Sequence, residues 1–426
     1  MKKILAILLA SIMILSLAAC GGGGAATPPA SSGAPAPSSD APAPQVQNAQ
    51  GVTDTEVKIA NSAATSGAYA PVGVPFIAGI EGYLKMVNEA GGIDGRKITF
   101  LHVDDEFDPV KGKAALQNFV DDEKVFALVG HFGTPVVGAT IEDVKAYGIP
   151  AVYFATGIGQ LYAEGAKTNA EGYNIFPVQP IYKTEGQIMV ARAAGNFNAK
   201  KIGVIYTNDD AGKDILWGAD TMAKELGLEL VAEQVAAGAA DVSAAVTSIK
   251  NANVDFIVGA AIQATIPTII KELAAQNVNK DLITTYVNVA PAIADQVKSE
   301  IKGKFDVYGS GWVSYEGDRA KALELYQQNT PAEYAANAYA QTGWIAAHFF
   351  CEGLRRLEGQ PVTWESYMAA LEAAPIENPF GGVIDFANGT RAGTQEMNLS
   401  KIEDGPTGTG WEVVFGLASI NSILGK

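Results

Sequence analysis

The chain has 426 residues, a formal net charge of −16 and 48% hydrophobic residues. This length allows two or three domains, and the hydrophobic fraction is sufficient for a large core. An acidic chain repels phosphate groups, which argues against nucleic acid as a partner and against electrostatic adsorption to anionic lipid.

The first twenty residues have the pattern of a secretory signal. Two lysines precede an apolar run over 4–17, and the small residues Ala18 and Ala19 are followed by Cys20. The apolar run is shorter than the ~20 residues that span a bilayer. This ending resembles the lipobox of bacterial lipoproteins, which implies removal of 1–19, acylation of Cys20 and a chain held outside the cytoplasm at the cell membrane. The alternative is an ordinary secretory signal with a chance cysteine.

Residues 20–52 are predicted to be the acylated cysteine and a flexible tether. From 21 to 50 the chain is mostly Gly, Ala, Pro, Ser and Gln with a single charged residue, and it has no apolar period. Such a segment cannot bury a core, and it lets a folded body move away from a membrane surface. If Cys20 is acylated, Cys351 has no disulfide partner, and we predict that Cys351 is a buried, unreactive thiol in a helix.

After residue 53 the apolar pattern alternates between short strands and helices. The first series has predicted strands at 57–60, 98–103, 126–130 and 151–154, and predicted helices at 76–89, 110–120 and 136–147. Short apolar strands separated by helices of this length indicate a parallel sheet with helices on both faces.

The same rhythm restarts near residue 202 and becomes less regular after about 310. The second series has predicted strands at 202–206, 228–235, 256–260 and 282–286, and predicted helices at 212–226, 242–252 and 265–276. After it we predict two helices, at 331–358 and 364–373, and two short strands, at 383–386 and 411–415. We therefore expect two α/β lobes with a cleft between them. Open parallel sheets bind ligands at the carboxyl ends of their strands, and such a cleft closes by hinge motion.

The sequence contains no recognisable catalytic or metal-binding motif. The histidines His102, His131 and His348 are far apart, and none lies in a His-Glu-x-x-His frame. The Gly-Lys-Asp at 212–214 lacks the Ser or Thr of a phosphate loop, and the acidic cluster at 104–108 lacks the spacing of a calcium-binding loop. We predict a protein that is not an enzyme and that needs no cofactor and no metal.

Several motifs follow one another in the order of a known family. They are Asn-Glu-Ala-Gly-Gly-Ile-Asp-Gly at 88–95, Asp-Asp and Asp-Pro within 104–109, Gly-Ile-Pro-Ala-Val at 148–152 and Lys-Lys-Ile-Gly-Val-Ile-Tyr at 200–206. In this order they resemble the substrate-binding proteins of ABC transporters for leucine, isoleucine, valine and related ligands. The resemblance implies an α/β, bilobed type I periplasmic-binding-protein fold, with two doubly wound parallel sheets joined by a hinge. It also implies that the protein captures a small carboxylate-bearing solute and delivers it to the membrane subunits of an ABC permease.

The resemblance divides the folded body into two discontinuous lobes. The expected N-terminal lobe comprises 53–181 plus 312–381, and the expected C-terminal lobe comprises 182–311 plus 382–426.

Candidate ligand-binding residues follow where the motifs match. The family holds the ligand's carboxylate with a hydroxyl after Gly130, which points to Thr134. It also uses the loop that contains Ala155, Thr156 and Gly157. Here an ungapped alignment places Gly157 at the family's hydroxyl position, so either Thr156 or backbone N–H groups serve instead.

The second lobe supplies weaker candidates. Tyr182 lies at the predicted crossing between the lobes, where it either closes over a ligand or packs in the core. Gln263 and Asn288 are the polar candidates after the second-lobe strands.

Two departures from the family bear on the ligand. The loop at 286–290 has no carboxylate to pair with an amino acid's ammonium, and burying an unpaired ammonium costs several kcal/mol. The positions of a family disulfide hold Phe107 and Gly133. Other segments are similar to a branch that includes binders of aromatic acids. The ligand can therefore be a branched-chain amino acid, or an aromatic acid or related carboxylate. The role also stays open between transport and a ligand-sensing module for a receptor.

Overall fold

The computed structural model describes residues 47–162, 165, 166, 170, 172–405 and 409–426. The predicted signal peptide, Cys20 and the tether up to residue 46 lie outside the described residues. Within the described ranges, no helix is long and apolar enough to cross a membrane.

The first sheet is entirely parallel and has the strand order β2-β1-β3-β4-β5. Every residue of its central strand β3 is buried, as expected for a sheet that helices cover on both faces. The strands are β1 (Glu56–Ala63), β2 (Lys97–Asp104), β3 (Ala127–Phe132), β4 (Ala151–Ala155) and β5 (Ile175–Phe176), and the connecting helices are α1 (Ala70–Glu89), α2 (Pro109–Gln117) and α3 (Thr134–Tyr147).

The second sheet has seven strands in the order β14-β13-β10-β9-β8-β6-β7, and its last two strands along the chain run antiparallel at one edge. The strands are β6 (Lys201–Thr207), β7 (Glu229–Val235), β8 (Phe256–Ala260), β9 (Leu282–Thr284), β10 (Val307–Gly311), β13 (Glu396–Ile402) and β14 (Trp411–Ser419). Its helices are α4 (Tyr182–Phe197), α5 (Asp210–Leu226), α6 (Ser243–Ala252), α7 (Ile266–Ala275) and α8 (Pro291–Ile301).

The chain returns to the first sheet between β10 and β13. Helix α10 (Ala338–Arg355) packs against α1, β3 and β4, and α11 (Trp364–Glu372) packs against α10. Between them and β13 lies a two-stranded ribbon of β11 (Ile376–Glu377) and β12 (Val383–Ile384). We call the part built on the first sheet with α1–α3, α10 and α11 the first lobe. The part built on the second sheet with α4–α8 is the second lobe. The residue boundaries between the lobes stay a prediction.

The structure confirms the bilobed α/β fold and corrects some of the elements. The helix predicted at 331–358 is interrupted: a 3₁₀ turn (Ala332–Tyr334) precedes α10. The interruption arises because the side chain of Asn337 caps α10, accepting the backbone N–H groups of Tyr339 and Ala340. Helices α4, α8 and α9 (Arg319–Asn329) and strands β5, β10, β11 and β13 were not predicted.

The core supports one prediction about reactivity. Cys351 is fully buried in α10, and burial raises the pKa of its thiol to about 12. The burial of Cys351 confirms that part of the prediction. The raised pKa keeps the sulfur in the poorly nucleophilic thiol form.

Glycines allow α1 and α10 to approach closely. A Cβ atom at Gly79 would lie 1.8 Å from the carbonyl oxygen of Ala340, and one at Gly343 would lie 1.9 Å from that of Phe76. Such contacts with backbone atoms cannot be relieved by rotating a side chain, so the two helices would have to separate.

We therefore expect Gly343→Ala to lower the free energy of unfolding by at least about 2 kcal/mol, because overpacking forces the backbone to shift. The control is Gly195→Ala, because Gly195 lies in α4 and a Cβ there meets nothing within 4 Å. This substitution should raise stability by up to about 1 kcal/mol through helix propensity. Urea unfolding measures both; equal effects of the two substitutions would contradict the close helix packing.

Candidate functional site

A cavity of about 590 Å³ lies between the two lobes. It is lined from both sheets by residues that directly follow strands, which is where the sequence predicted a cleft. These residues are Gly133 after β3, Ala155 at the end of β4, Ile262 and Gln263 after β8, Tyr286 and Val287 after β9, and Trp312 after β10.

Aromatic rings form one continuous wall of this cavity. Neighbouring ring centroids along the wall lie between 3.7 and 6.5 Å apart, and the pairs include one stacked, two edge-on and four tilted arrangements. All of its members except Tyr153 line the cavity directly. In order, the wall consists of Tyr69, Phe107, Phe132, Phe76, Tyr153, Trp312, Tyr286 and Tyr182.

The ring of Phe107 is held in the wall by an unusual turn. Glu106 and Phe107 both have positive φ angles, 54° and 64°, and the carboxylate of Asp105 accepts the N–H of Phe107 at 2.9 Å. Gly133 is needed opposite, because a Cβ there would lie 2.6 Å from the Phe107 ring. The two positions at which the resemblance places a disulfide therefore hold a ring packed against a glycine.

A cluster of hydroxyl groups lies at the first-lobe end of the cavity. The hydroxyl oxygens of Thr134 and Thr156 are 2.8 Å apart and buried. The hydroxyl of Tyr182 lies beside them; burial raises the pKa of Tyr182, and hydrogen bonds with the two threonines lower it by less. All three groups are therefore neutral at physiological pH.

Thr134 is also the first residue of α3. No side chain caps this helix end, and the preceding Gly133 has a φ of 90°. The free N–H groups of a first helical turn carry a partial positive charge. Because Thr134 lines the cavity, the hydroxyl cluster and the helix end offer donors to the same part of it.

The predicted site residues fall into three groups. Thr134, Ala155, Tyr182 and Gln263 line the cavity. Thr156 hydrogen-bonds to Thr134, and the carbonyl of Gly157 accepts the N–H of Tyr182 at 2.7 Å, so these two support the lining residues. Asn288 is buried away from the cavity. The role of each residue in binding stays a prediction.

Asn288 is fully buried inside the second lobe and does not line the cavity. Its amide donates to the carbonyl of Ala261 at 2.8 Å and to the hydroxyl of Thr284 at 2.7 Å. These bonds tie together the chain segments that follow β8 and β9, from which Gln263 and Tyr286 reach the cavity.

Gln179 connects the two lobes and was not among the predicted residues. Its amide nitrogen donates to the hydroxyl of Tyr153 at 2.6 Å, and its amide oxygen accepts from the hydroxyl of Tyr286 at 2.9 Å. Tyr153 belongs to β4 of the first lobe, whereas Tyr286 follows β9 of the second. The only sequence signal was the Pro-Val-Gln-Pro at 177–180, which marks the crossing but assigns no partners.

Ionised side chains are scarce around the cavity. Among the described residues that line it, only Glu316 and Glu412 carry a charge. Glu316 is exposed on the segment after β10, and Glu412 belongs to β14. Neither comes from the elements that carry Thr134 or Tyr286. Within the described ranges, no group of His, Cys, Asp and Glu could hold a metal ion.

Two lobes that enclose a cavity at facing strand ends define a solute-binding protein of the periplasmic type. Residues 56–406 match the family described as periplasmic binding protein, and the chain belongs to that family. This match and the similarity to Leu/Ile/Val-binding protein homologues together confirm the resemblance to binding proteins for leucine, isoleucine and valine.

Individual relatives are distant. A Leu/Ile/Val-binding protein homolog 2 of Brucella abortus is 23% identical over 293 residues, covering 68% of this chain and 77% of that protein. A branched-chain amino acid ABC transporter protein of Thermus thermophilus with bound valine superposes with a TM-score of 0.75 at 16% identity, over 87% of this chain and 99% of that one. A fatty acid ABC transporter substrate-binding protein of Thermomonospora curvata superposes with a TM-score of 0.74 at 19% identity, over 89% of this chain and 96% of that one. At such identities the structures show the fold alone.

Hydrogen bonds across the cleft hold the lobes together. The hydroxyl of Tyr339, on α10 of the first lobe, donates to the carbonyl of Val287 in the second lobe at 3.1 Å. The same carbonyl accepts the amide of Gln263 at 2.9 Å.

We expect Tyr339→Phe to shift the equilibrium between closed and open lobes toward the open form by about 1 kcal/mol, the net value of one hydrogen bond. The radius of gyration of the unliganded protein, measured by small-angle X-ray scattering, should increase. Tyr367→Phe is the matched control, because the hydroxyl of Tyr367 donates to Phe350 within the first lobe. An unchanged radius for Tyr339→Phe would contradict this role.

Proposed function

We propose that this protein is the solute-binding component of an ABC importer, and that it works outside the cytoplasm, anchored by a lipid on Cys20. It captures a carboxylate-bearing solute with a bulky apolar body between its lobes and presents it to the permease. The observation that carries the proposal is the cluster of neutral hydroxyls at the start of α3, beside a wall of aromatic rings. Binding without chemical conversion is part of the proposal.

The hydroxyl cluster suits a carboxylate. The Thr134 hydroxyl can donate a hydrogen bond to an anion while it accepts one from Thr156 behind it. The start of α3 adds backbone N–H groups and a favourable dipole. Neutral donors of this kind hold an anion strongly where water is excluded, because hydrogen bonds to a charged group are stronger than neutral ones.

The rest of the cavity favours an apolar body without an ammonium group. The lining segments next to the hydroxyl cluster, at 132–134, 155 and 286–289, contain no carboxylate. An ammonium buried there would lack a counter-charge, which costs several kcal/mol. A volume of about 590 Å³ also lies within the range that holds drug-sized ligands.

A branched-chain amino acid is the second candidate ligand. The name of the Brucella relative favours it. The faces of Tyr286 and Trp312 are the groups that would receive the ammonium, as a cation–π contact. Such a contact is worth roughly 0.5–2 kcal/mol, which offsets only part of the desolvation.

A thermal-shift series tests the ligand class. We expect benzoate or octanoate to raise the melting temperature, and leucine and valine to raise it less at equal concentration, because only the amino acids bury an ammonium. Benzamide and octanol are matched controls that keep the apolar body and lose the carboxylate. Stabilisation by leucine alone would favour the second candidate, and no stabilisation by any carboxylate would contradict the proposal.

We expect Thr134→Val to weaken carboxylate binding by about 1–3 kcal/mol, because it removes a donor to the anion at nearly unchanged volume. Thr134→Ser keeps the hydroxyl and should bind within about 1 kcal/mol of the unsubstituted protein. Isothermal titration calorimetry with the solute from the thermal-shift series measures both. Equal affinities of the Val and Ser variants would remove Thr134 from the binding site.

A further inference from the structure

We propose that Glu185 is a positioning residue whose protonated carboxyl holds the Tyr286 turn against the cavity, which makes solute affinity depend on pH. The Tyr286 turn is the 3₁₀ segment Tyr286–Asn288 that follows β9. The effect on affinity rests on the proposed function, whereas the effect on the turn does not.

Glu185 is fully buried in the first turn of α4. One carboxyl oxygen accepts the backbone N–H of Tyr286 at 2.7 Å, and the other lies 2.7 Å from the hydroxyl of Thr285. Thr285 is itself completely buried. One side chain of α4 thus fixes both the start of the turn and the residue before it.

The carboxyl also lies where the chain passes between the lobes. The first crossing ends at Ile181, directly before α4, and the N–H of Glu185 donates to the carbonyl of Ile181 at 2.9 Å. A change at Glu185 therefore acts at the base of this crossing.

The Tyr286 turn carries a large part of the second-lobe wall. The ring of Tyr286 lies 5.9 Å from that of Tyr182 and 6.5 Å from that of Trp312, centroid to centroid. Its hydroxyl donates to Gln179, and the next residue, Val287, bonds to Tyr339 across the cleft. Moving the turn would disturb both the aromatic wall and the contacts between the lobes.

Within the part of the chain that the structure describes, no cation contributes to the environment of Glu185 to stabilise its ionised form. The titratable groups nearest to it are the tyrosines Tyr182 on α4 and Tyr286 on the turn, and burial raises the pKa of both. Of the charged residues on α4, Lys183 pairs with Asp214 of the adjacent α5. Arg192 donates to the carbonyl of Met397.

The environment accordingly favours the neutral carboxyl. Burial raises the pKa of Glu185 to about 8, against the smaller lowering effects of Thr285, Tyr286 and Ser310. The ionised form favours conformations in which water reaches the carboxylate, which requires the turn to move away, so opening of the turn releases a proton between about pH 4.5 and 8. Because the unfolded carboxyl ionises near pH 4.5, the unsubstituted protein should lose stability relative to Glu185→Gln as the pH rises from there to about 8.

Hydrogen exchange at residues 282–290 tests the role of Glu185 without any ligand. Protection factors, corrected for the intrinsic pH dependence of exchange, are measured from pH 5 to 9.5. We expect protection of the Tyr286 amide to fall by up to about tenfold per pH unit between about pH 5 and 8 and to level off above pH 8, because opening of the turn releases one proton only in this window. Glu185→Gln keeps a neutral acceptor and should show no such fall, whereas Glu185→Ala should be poorly protected throughout.

Glu81→Gln on α1 is the control, and it should leave the profile at 282–290 unchanged. If the unsubstituted protein and Glu185→Gln have the same pH profile, the proposal is wrong, even if Glu185→Ala does not fold.

Benzoate affinity, measured by calorimetry over the same pH range, should fall as the pH rises toward about 8 in the unsubstituted protein and stay constant in Glu185→Gln. If benzoate binds none of these proteins, the proposed ligand class loses support, while the exchange profile still decides the role of Glu185. If benzoate binds with the same pH dependence in both, the link between Glu185 and affinity is contradicted.

Discussion

The hydrogen bonds of Gln179 are the interaction on which the cleft depends. This one amide joins Tyr153 of the first sheet to Tyr286 of the second lobe, within a fully buried region. Buried polar groups need partners, and here each partner comes from a different lobe. The same bonds keep both tyrosine rings in the aromatic wall, so the arrangement that joins the lobes also shapes the cavity.

Neutrality is the common property of the buried groups beside the hydroxyl cluster. The threonine hydroxyls, the tyrosines and the Gln179 amide are uncharged, and burial favours the neutral form of Glu185 as well. A low-dielectric environment strengthens hydrogen bonds to a single buried anion, but it strongly disfavours an ion that has no partner. The site we propose therefore admits one charge, on the solute's carboxylate, at the start of α3.

The sequence predicted the parallel sheets well because their strands are buried on both faces and appear as short apolar runs. The motifs led to Thr134 and Ala155, and position along the chain led to Tyr182 and Gln263; all four line the cavity. The aromatic wall could not be predicted, because Tyr69, Phe107 and Trp312 are brought together only by tertiary packing. Asn288 illustrates the converse: a polar residue after a strand suggested a ligand contact, but its amide is bonded to the backbone and to Thr284 inside the lobe.

The most direct test is to identify the small molecule that co-purifies with the protein. Native mass spectrometry detects the complex, and denaturation releases the solute for determination of its mass and functional groups. A carboxylate with an aromatic or alkyl body and no amine is the predicted result. A bound amino acid would contradict the claim that the cavity excludes an ammonium, and a bound sugar or other neutral solute would contradict the claim that the start of α3 binds an anion.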